Sequence, residues 1–357
     1  MLPRLLPLLV LALNALAIPT ASEKLDSRAN AACTNPTVRK EWRSFTDQQK
    51  QDWIAGIKCL GSLPHDPSLF SVLPPPGQPF LNKSSTFYDD LVYLHIDVYP
   101  VIHFVGIFLP WHRWFLDLFE KNMRGKCGYT GPMGYWDWSL DADDITGSSI
   151  FDSNPVTGLG SFGPQSNGFH LTDGAFSDFI LAYPKPHTLS RNFSDTPFAL
   201  GRLQPTPWIV DEPNTSAKTV ITPERVNKLV TGHTGDFVKF YTNLDSPEGF
   251  HTTPHLMVGG DMSDAAQSVN DPLFWLHHGQ LDRMWWMWQN NHPSNKNAFG
   301  GGTIPGVLTK LTFDLFPAGM PPLAHKLTPL PNDNFGEHKR VRDLMDTEGG
   351  FLCYVYE

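Results

Sequence analysis

Apolar residues recur at helical spacing in separate stretches of the chain. After Thr46-x-x-Gln49, a capping-box pattern, Trp53, Ile57 and Leu60 share a stripe, which predicts an amphipathic helix to about Leu60. Phe87, Leu91, Leu94 and Val98 form a second stripe between Ser85 and Val98. A third helix is expected to enter through Pro110, whose missing N–H has no intrahelical partner at a first position, and to run to about Arg124. Two more helical patterns lie around His255 and from Pro272 to Gln289, the latter with Asn270 or Asp271 as cap. Pro254 cannot donate a helical hydrogen bond, so the helix carrying His255 is expected to begin at Thr252, Thr253 or Pro254. Leu63 to Phe80 is a Pro-rich loop. Gly131 to Ala217, rich in Gly, Pro, Ser, Asn and Asp, reads as long structured loops with at most short strands, and Asn290 to Asn334 is again loop-like. No repeat or internal domain boundary is visible.

Composition narrows the class. Of 357 residues, 41% are hydrophobic and 18% charged, which excludes a disordered tail protein, while 32 Pro and 29 Gly exclude a plain helical bundle. A net charge of −9 disfavours nucleic acid or an anionic membrane surface as partner and favours a small molecule. Residues 1–17 read as a signal peptide: Arg4 is the positive region, Leu5 to Ile18 is apolar, and Ala15-Leu16-Ala17 is a cleavage site. The apolar run falls short of the roughly 20 residues that span a bilayer, so a secreted protein is expected. Residues 18–29 form an N-terminal segment open to trimming, and 30–357 one folded unit. Cys33, Cys59, Cys127 and Cys353 make two disulfides the expectation, in any of three pairings. Asn82, Asn192 and Asn214 each head a glycosylation sequon.

The histidines carry the chemistry. Among 14, His95, His103 and His112 form H-x7-H-x8-H, and His251, His255 and the His277-His278 pair fall in a second group. Neutral imidazoles suit copper, zinc, iron or nickel, whereas magnesium and calcium want oxygen. His251 and His255, four apart, lie on one helical face, with Pro254 making that spacing approximate. Phe274, His278, Leu281 and Trp285 share a face that turns His277 about 100° away, which favours His278 as the third donor. His65, His170, His187, His233, His292, His325 and His338 are isolated and read as ordinary loop residues. Trp285, Trp286 and Trp288 read as core, and Asp282 and Arg283 as partners that pack or orient the helix.

These segments resemble a known family. Leu109-Pro110-Trp111-His112-Arg113 within His95 to Glu120, and Asn270 to His278 continuing through Asp282-Arg283, closely resemble the two copper signatures of the tyrosinase and catechol oxidase family of type-3 copper proteins. The likeness extends to Arg43, to Gly259-Gly260-Asp261-Met262 and to Tyr354-x-Tyr356, so it covers about residues 30–357. It implies a mainly α fold: a central antiparallel helix bundle holding a dicopper site, surrounded by long loops and a few short strands. It also implies His95, His103 and His112 on CuA, and His251, His255 and His278 on CuB. Members use O2 to oxidise o-diphenols to o-quinones, and tyrosinases also hydroxylate monophenols. The resemblance thus implies a secreted dicopper oxidoreductase taking a small phenol and O2.

Departures from the family pattern bear on substrate choice. Val101 stands where members often have a cysteine linked to a histidine, so that thioether is expected to be absent. Thr252 follows the first CuB histidine, where many monophenol-hydroxylating members have Asn, and Glu248 is the candidate for the Glu that helps hold a water there. One hydroxyl cannot replace an amide's paired donor and acceptor, so o-diphenol oxidation is favoured over monophenol hydroxylation. The family's bulky gate above CuA aligns near Ala265, close to Met262, which implies an open entrance. The chain ends at Glu357, just after Tyr356, so copper but no removal of a C-terminal lid is expected to be needed. The alternatives are an O2 carrier or an oxidative tailoring enzyme of a phenolic secondary metabolite. A zinc hydrolase is disfavoured because neither triplet includes a carboxylate. Nothing in the sequence speaks to oligomeric state.

Overall fold

The computed structural model describes residues 33–67, 76–199, 210–307 and 309–357. The expected leader and trimmed segment lie outside these residues. Ten helices are described: α1 (Asp47–Leu60), α2 (Phe87–Ile102), α3 (Phe108–Cys127), α4 (Ala217–Val220), α5 (Pro223–Thr231), α6 (Phe237–Leu244), α7 (Thr252–Val258), α8 (Leu273–Asn291), α9 (Pro293–Lys296) and α10 (Lys310–Leu315). The strands are short: β1 (Thr37–Glu41), β2 (Gly134–Tyr135), β3 (Ile180–Leu181), β4 (His187–Thr188), β5 (Gly302–Ile304), β6 (Met320–Leu323) and β7 (Tyr354–Tyr356). The protein is therefore mainly α, with long loops and a few strands around a helical core, as expected.

Local sequence explains most boundaries. The capping box of α1 forms as predicted, with Thr46 and Gln49 bonded reciprocally, and α2 has an equivalent box between Thr86 and Asp89. α3 starts two residues earlier than expected, which puts Pro110 at its third position. Nothing is lost, because the first four N–H groups of any helix lack intrahelical acceptors. At α8 the cap is Asp271, whose Oδ1 accepts the N–H of Leu273 at 2.9 Å. α7 begins at Thr252 with His251 just ahead in helical conformation, so the four-residue spacing of His251 and His255 holds despite Pro254. α5 and α6 lie where no helix was expected. Their signals were present: Thr222 caps α5 ahead of Pro223, and Asp236 caps α6, which buries Phe237, Phe240, Tyr241 and Leu244.

The helices that matter most are α3 and α8. Arg113 meets Asp282, His112 stacks on His278, and Phe115 and Phe119 pack on Trp275, the last pair with centroids 3.9 Å apart. The partners descend along α8 as they ascend along α3, so the two helices are antiparallel. The cysteines settle into Cys33–Cys353 and Cys59–Cys127, the second tying α1 to the end of α3. β1 pairs in parallel with β2 on one side and β7 on the other, with Arg39 opposite Tyr356.

That sheet delivers charge and hydroxyls to one buried carboxylate. Asp282 accepts from Arg113 Nε at 2.5 Å, Arg39 Nη1 at 3.3 Å, Tyr354 Oη at 2.6 Å and Tyr356 Oη at 2.5 Å. Burial pushes its carboxyl up, but Arg113 and Arg39, then the tyrosine hydroxyls, outweigh that and hold it below the usual carboxylate range. The closing tyrosine motif thus works through Arg39. Arg43, which the resemblance also picked out, pairs with Glu41 and Asp141. Asp282→Asn leaves two buried guanidiniums short of a charge and is expected to cost about 3–5 kcal/mol. Asp178→Asn, which breaks the exposed Lys58–Asp178 pair, should cost under about 1 kcal/mol, and chemical denaturation of both variants checks the contrast.

Candidate metal centre

Four helices and one turn bring the histidines together. α2 supplies His95, the turn after it His103, and the first turns of α3 His112. His251 and His255 come from the start of α7, and His277 and His278 from α8. The donor atoms form two buried groups, His95, His103 and His112 in one and His251, His255, His277 and His278 in the other, each within 4.8 Å of one another. The groups face each other: His112 and His278 stack at 4.4 Å between centroids, and His103 and His251 at 5.7 Å. Phe274 and Phe108 pack against histidines of both groups.

In four of the rings the second nitrogen shows which way the ring points. Nδ1 of His95 meets the Ala266 carbonyl at 2.8 Å, that of His103 the Tyr99 carbonyl at 3.2 Å, that of His112 the Phe108 carbonyl at 2.9 Å and that of His255 the Met262 carbonyl at 2.8 Å. A carbonyl only accepts, so Nδ1 carries the proton and Nε2 is left as a lone-pair donor facing inward. Nε2 of His95 and of His112 is buried with no hydrogen-bond partner among the described residues, an arrangement that costs free energy unless a ligand completes it. His255 Nε2 and His278 Nε2 lie 3.3 Å apart, roughly the spacing of two imidazoles on one first-row ion with bonds near 2.0–2.1 Å. His277 differs. Its Nε2 is spent on the His251 carbonyl at 3.1 Å, and its ring stacks behind His251 rather than on the opposite group.

His251 is held by a carboxylate that the sequence reading passed over. Asp245 Oδ1 accepts from His251 Nδ1 at 2.6 Å, while Oδ2 accepts from Tyr241 Oη at 2.8 Å and Phe104 N at 3.2 Å. A carboxylate on the outer nitrogen fixes the tautomer and makes the inner one a stronger donor. Its signal was faint: an Asp six residues ahead of a clustered histidine, on the far side of a Ser-Pro-Glu-Gly turn. The donor set that results, buried imidazoles without an inward carboxylate, fits soft-to-borderline metals such as copper.

A model of the common central domain of tyrosinase matches residues 85–291. The chain belongs to the tyrosinase family. Tyrosinase ustQ of Aspergillus flavus is 32% identical over 345 residues, covering 91% of this chain and 80% of that protein. The N-acetyl-6-hydroxytryptophan oxidase ivoB of Emericella nidulans is 28% identical, covering 90% of this chain and 93% of its own. Among solved structures, a mutant polyphenol oxidase from Thermothelomyces thermophila superposes with a TM-score of 0.68 over 90% of this chain and 89% of its own, at 24% identity, a likeness of fold. As a tyrosinase-family oxidase, the chain carries two buried imidazole clusters suited to two copper ions.

The other positions singled out by resemblance fall around this tyrosinase-type centre unevenly. Glu248 Oε1 accepts the backbone N–H groups of Asp211 and Glu212 at 2.6 and 2.8 Å, so its carboxylate is engaged with that loop. Thr252 donates its hydroxyl proton to the Ser246 carbonyl at 3.2 Å, leaving only lone pairs to offer. Met262 is fully buried, and its contribution is the carbonyl that takes His255; it does not line an opening, because the turn folds its side chain into the core. Ala265 is exposed. Val101 is exposed too, and all four cysteines are in disulfides, so no thioether partner exists.

Burial holds six of the imidazoles neutral. It pushes His95 down to about 4 and His103, His112, His255, His277 and His278 well below the ordinary value of 6.5, with repulsion among the rings adding to it. Below pH 6.5 the unfolded chain binds protons at these positions and the folded chain does not, so stability falls with pH. His95 alone is worth about 2 kcal/mol between pH 7 and 5 by this linkage. Asp90 and Asp333, pushed up by burial to about 6 and about 7, act in the opposite sense but are outnumbered. The metal-free protein is therefore expected to lose stability from pH 7 to 5, and a flat or rising denaturation midpoint over that range contradicts the reading.

Proposed function

We propose that this chain is a secreted dicopper oxidase that uses O2 to convert o-diphenols to o-quinones. The observation that supports it best is the pair of facing, buried clusters whose inward donors are imidazole nitrogens alone. In this reading His95, His103 and His112 hold CuA, and His251, His255 and His278 hold CuB. Two copper ions, when bound, supply the O2-dependent oxidation of the phenol. The chain's residues do the rest. Backbone carbonyls and Asp245 keep the outer nitrogens of His95, His103, His112, His255 and His251 protonated and those rings aimed. Phe108 and Phe274 exclude water from two sides. His103, His251 and His255, at 6–8% exposure, lie nearer the surface than His95 and His278, at 0–1%, so a phenol ring approaches over the former. Ala265 adds no bulk there, which suits a substituted phenol and keeps tailoring of a phenolic secondary metabolite as the second reading.

The engagement of Thr252 and of Glu248 Oε1 leaves little to hold a proton-accepting water, which favours diphenols over monophenols. Residues 1–17 are proposed as the secretion signal, 18–29 as a removable segment and 30–357 as the catalytic domain. No described helix is long and apolar enough to cross a membrane. Asn82 and Asn214 are exposed and Asn192 half-buried, so the first two are the better glycosylation sites.

Two outcomes are expected. His278→Ala should bind less than two coppers and lose oxidase activity, while His277→Ala keeps both coppers; the reverse, by metal analysis, would exchange their roles. O2 uptake with a catechol should far exceed that with the matching monophenol, and Thr252→Asn should raise the monophenol share severalfold. An unchanged ratio counts against the water-holding account.

A further inference from the structure

One turn serves both clusters. Gly259 to Ala266 leads from α7 toward α8, and two of its carbonyls accept imidazole protons from different groups: Met262 from His255 and Ala266 from His95. The turn has little regular structure of its own beyond the single 3-10 helix Gly260–Ser263. Its position comes from the segment that runs past it, His187 to Asn192.

Asp261 makes that attachment. Its N–H donates to the Ser190 carbonyl at 3.1 Å, and its Oδ2 accepts from Ser190 N at 2.7 Å and Ser190 Oγ at 3.1 Å. Its Oδ1 lies 2.8 Å from His187 Nε2, and His187 Nδ1 lies 2.8 Å from the Lys185 carbonyl. A carboxylate and a carbonyl both accept, so both ring nitrogens donate and His187 meets Asp261 as a cation. The backbones also touch: a Cβ at Gly259 or Gly260, where φ is 70° and 55°, would lie 2.1 Å from the Asn192 or Ser190 carbonyl oxygen, so only glycine fits. One step further on, Arg191 grips Asp271 at the start of α8 through two bonds of 2.7 and 2.8 Å, both residues fully buried.

We propose that Asp261 is a positioning residue for the whole centre: by clamping the Gly259–Ala266 turn to His187 and Ser190, it holds one histidine of each cluster in register with the other. This rests on the ligand reading above. Asp245 is the contrast, since among the histidines of the two clusters its carboxylate bonds only His251.

The test has a readout that needs no copper. In the metal-free protein, labelled with nitrogen-15, Asp261→Ala is expected to shift or broaden the Nδ1–H resonances of His95 and His255 together. The His112 resonance, whose acceptor Phe108 lies within α3, should stay in place; a general loosening would move all three. In copper titrations against a graded chelator, the variant should lose affinity at both sites, each by about 10–100-fold, whereas Asp245→Asn loses it at one. Asp261→Asn keeps an oxygen for Ser190 N but cannot accept from the His187 cation. It should show the same pattern more weakly, and it serves if the alanine variant does not fold. Unmoved His95 and His255 resonances, or copper lost from one site only, overturn the proposal. A wild-type protein that binds fewer than two coppers overturns the ligand reading instead, with the resonances still deciding the clamp.

Discussion

An imidazole buried in a protein core must do something with both of its nitrogens, and this molecule buries seven side by side. Leaving a ring nitrogen unsatisfied costs free energy, and charging the ring costs more. The fold meets this by giving the outer nitrogens of most of these rings an acceptor from outside the cluster and turning the other nitrogens toward a shared centre. The acceptors are Ala266, Tyr99, Phe108 and Met262 through their carbonyls and Asp245 through its carboxylate. Two of these are carbonyls one turn back on the chain, which a helix end provides at no extra cost. The others need backbone brought from elsewhere, and that need accounts for the tight packing of irregular segments around the helices.

The same logic explains the buried charges. Arg113 and Arg39 converge with two tyrosine hydroxyls on Asp282, one turn beyond His278, and Arg191 grips Asp271 at the other end of the same helix. A buried ion pair adds little net stability compared with an apolar replacement, but it tolerates only one geometry. Pinned at its start and near its middle, α8 has no freedom to rotate. Rotation by one residue, about 100°, would exchange His278 for His277 at the centre. The carboxylate hub therefore acts on the geometry of the histidine clusters even though it touches none of their rings.

The long segment between α3 and α4 is a working part of this arrangement. Its described residues have almost no regular structure, yet residues 187–194 lie along the turn and cap that carry or support His255, His95 and His278. Regular elements supply side chains at regular spacing, whereas an irregular segment can bring an acceptor or a cation to an arbitrary point. The apparent disorder of composition there, with its Gly, Pro, Ser and Asn, is what lets the backbone approach so closely.

Much of this was legible in the sequence because it is periodic or local. The helical stripes from Phe87, Leu91 and Leu94, the caps at Thr46 and Asp271, and the different faces on which His277 and His278 stand follow from 3.6-residue geometry, which neighbours along the chain impose on each other. The donor type follows from composition alone, since clustered histidines without cysteine or acid mark a nitrogen site. Other features depended on residues far apart in the chain. Asp245 on His251, Arg39 at the tyrosine motif, the pairing of the four cysteines, the burial of Met262 and the meeting of His187 with Asp261 join positions between 6 and 320 residues apart, and no pattern along the chain encodes them. The sequence by itself determined which imidazoles the helices would present and on which helical face each would stand. Tertiary structure decided which of their nitrogens would be free to do it, because that depends on where distant carbonyls and carboxylates come to rest.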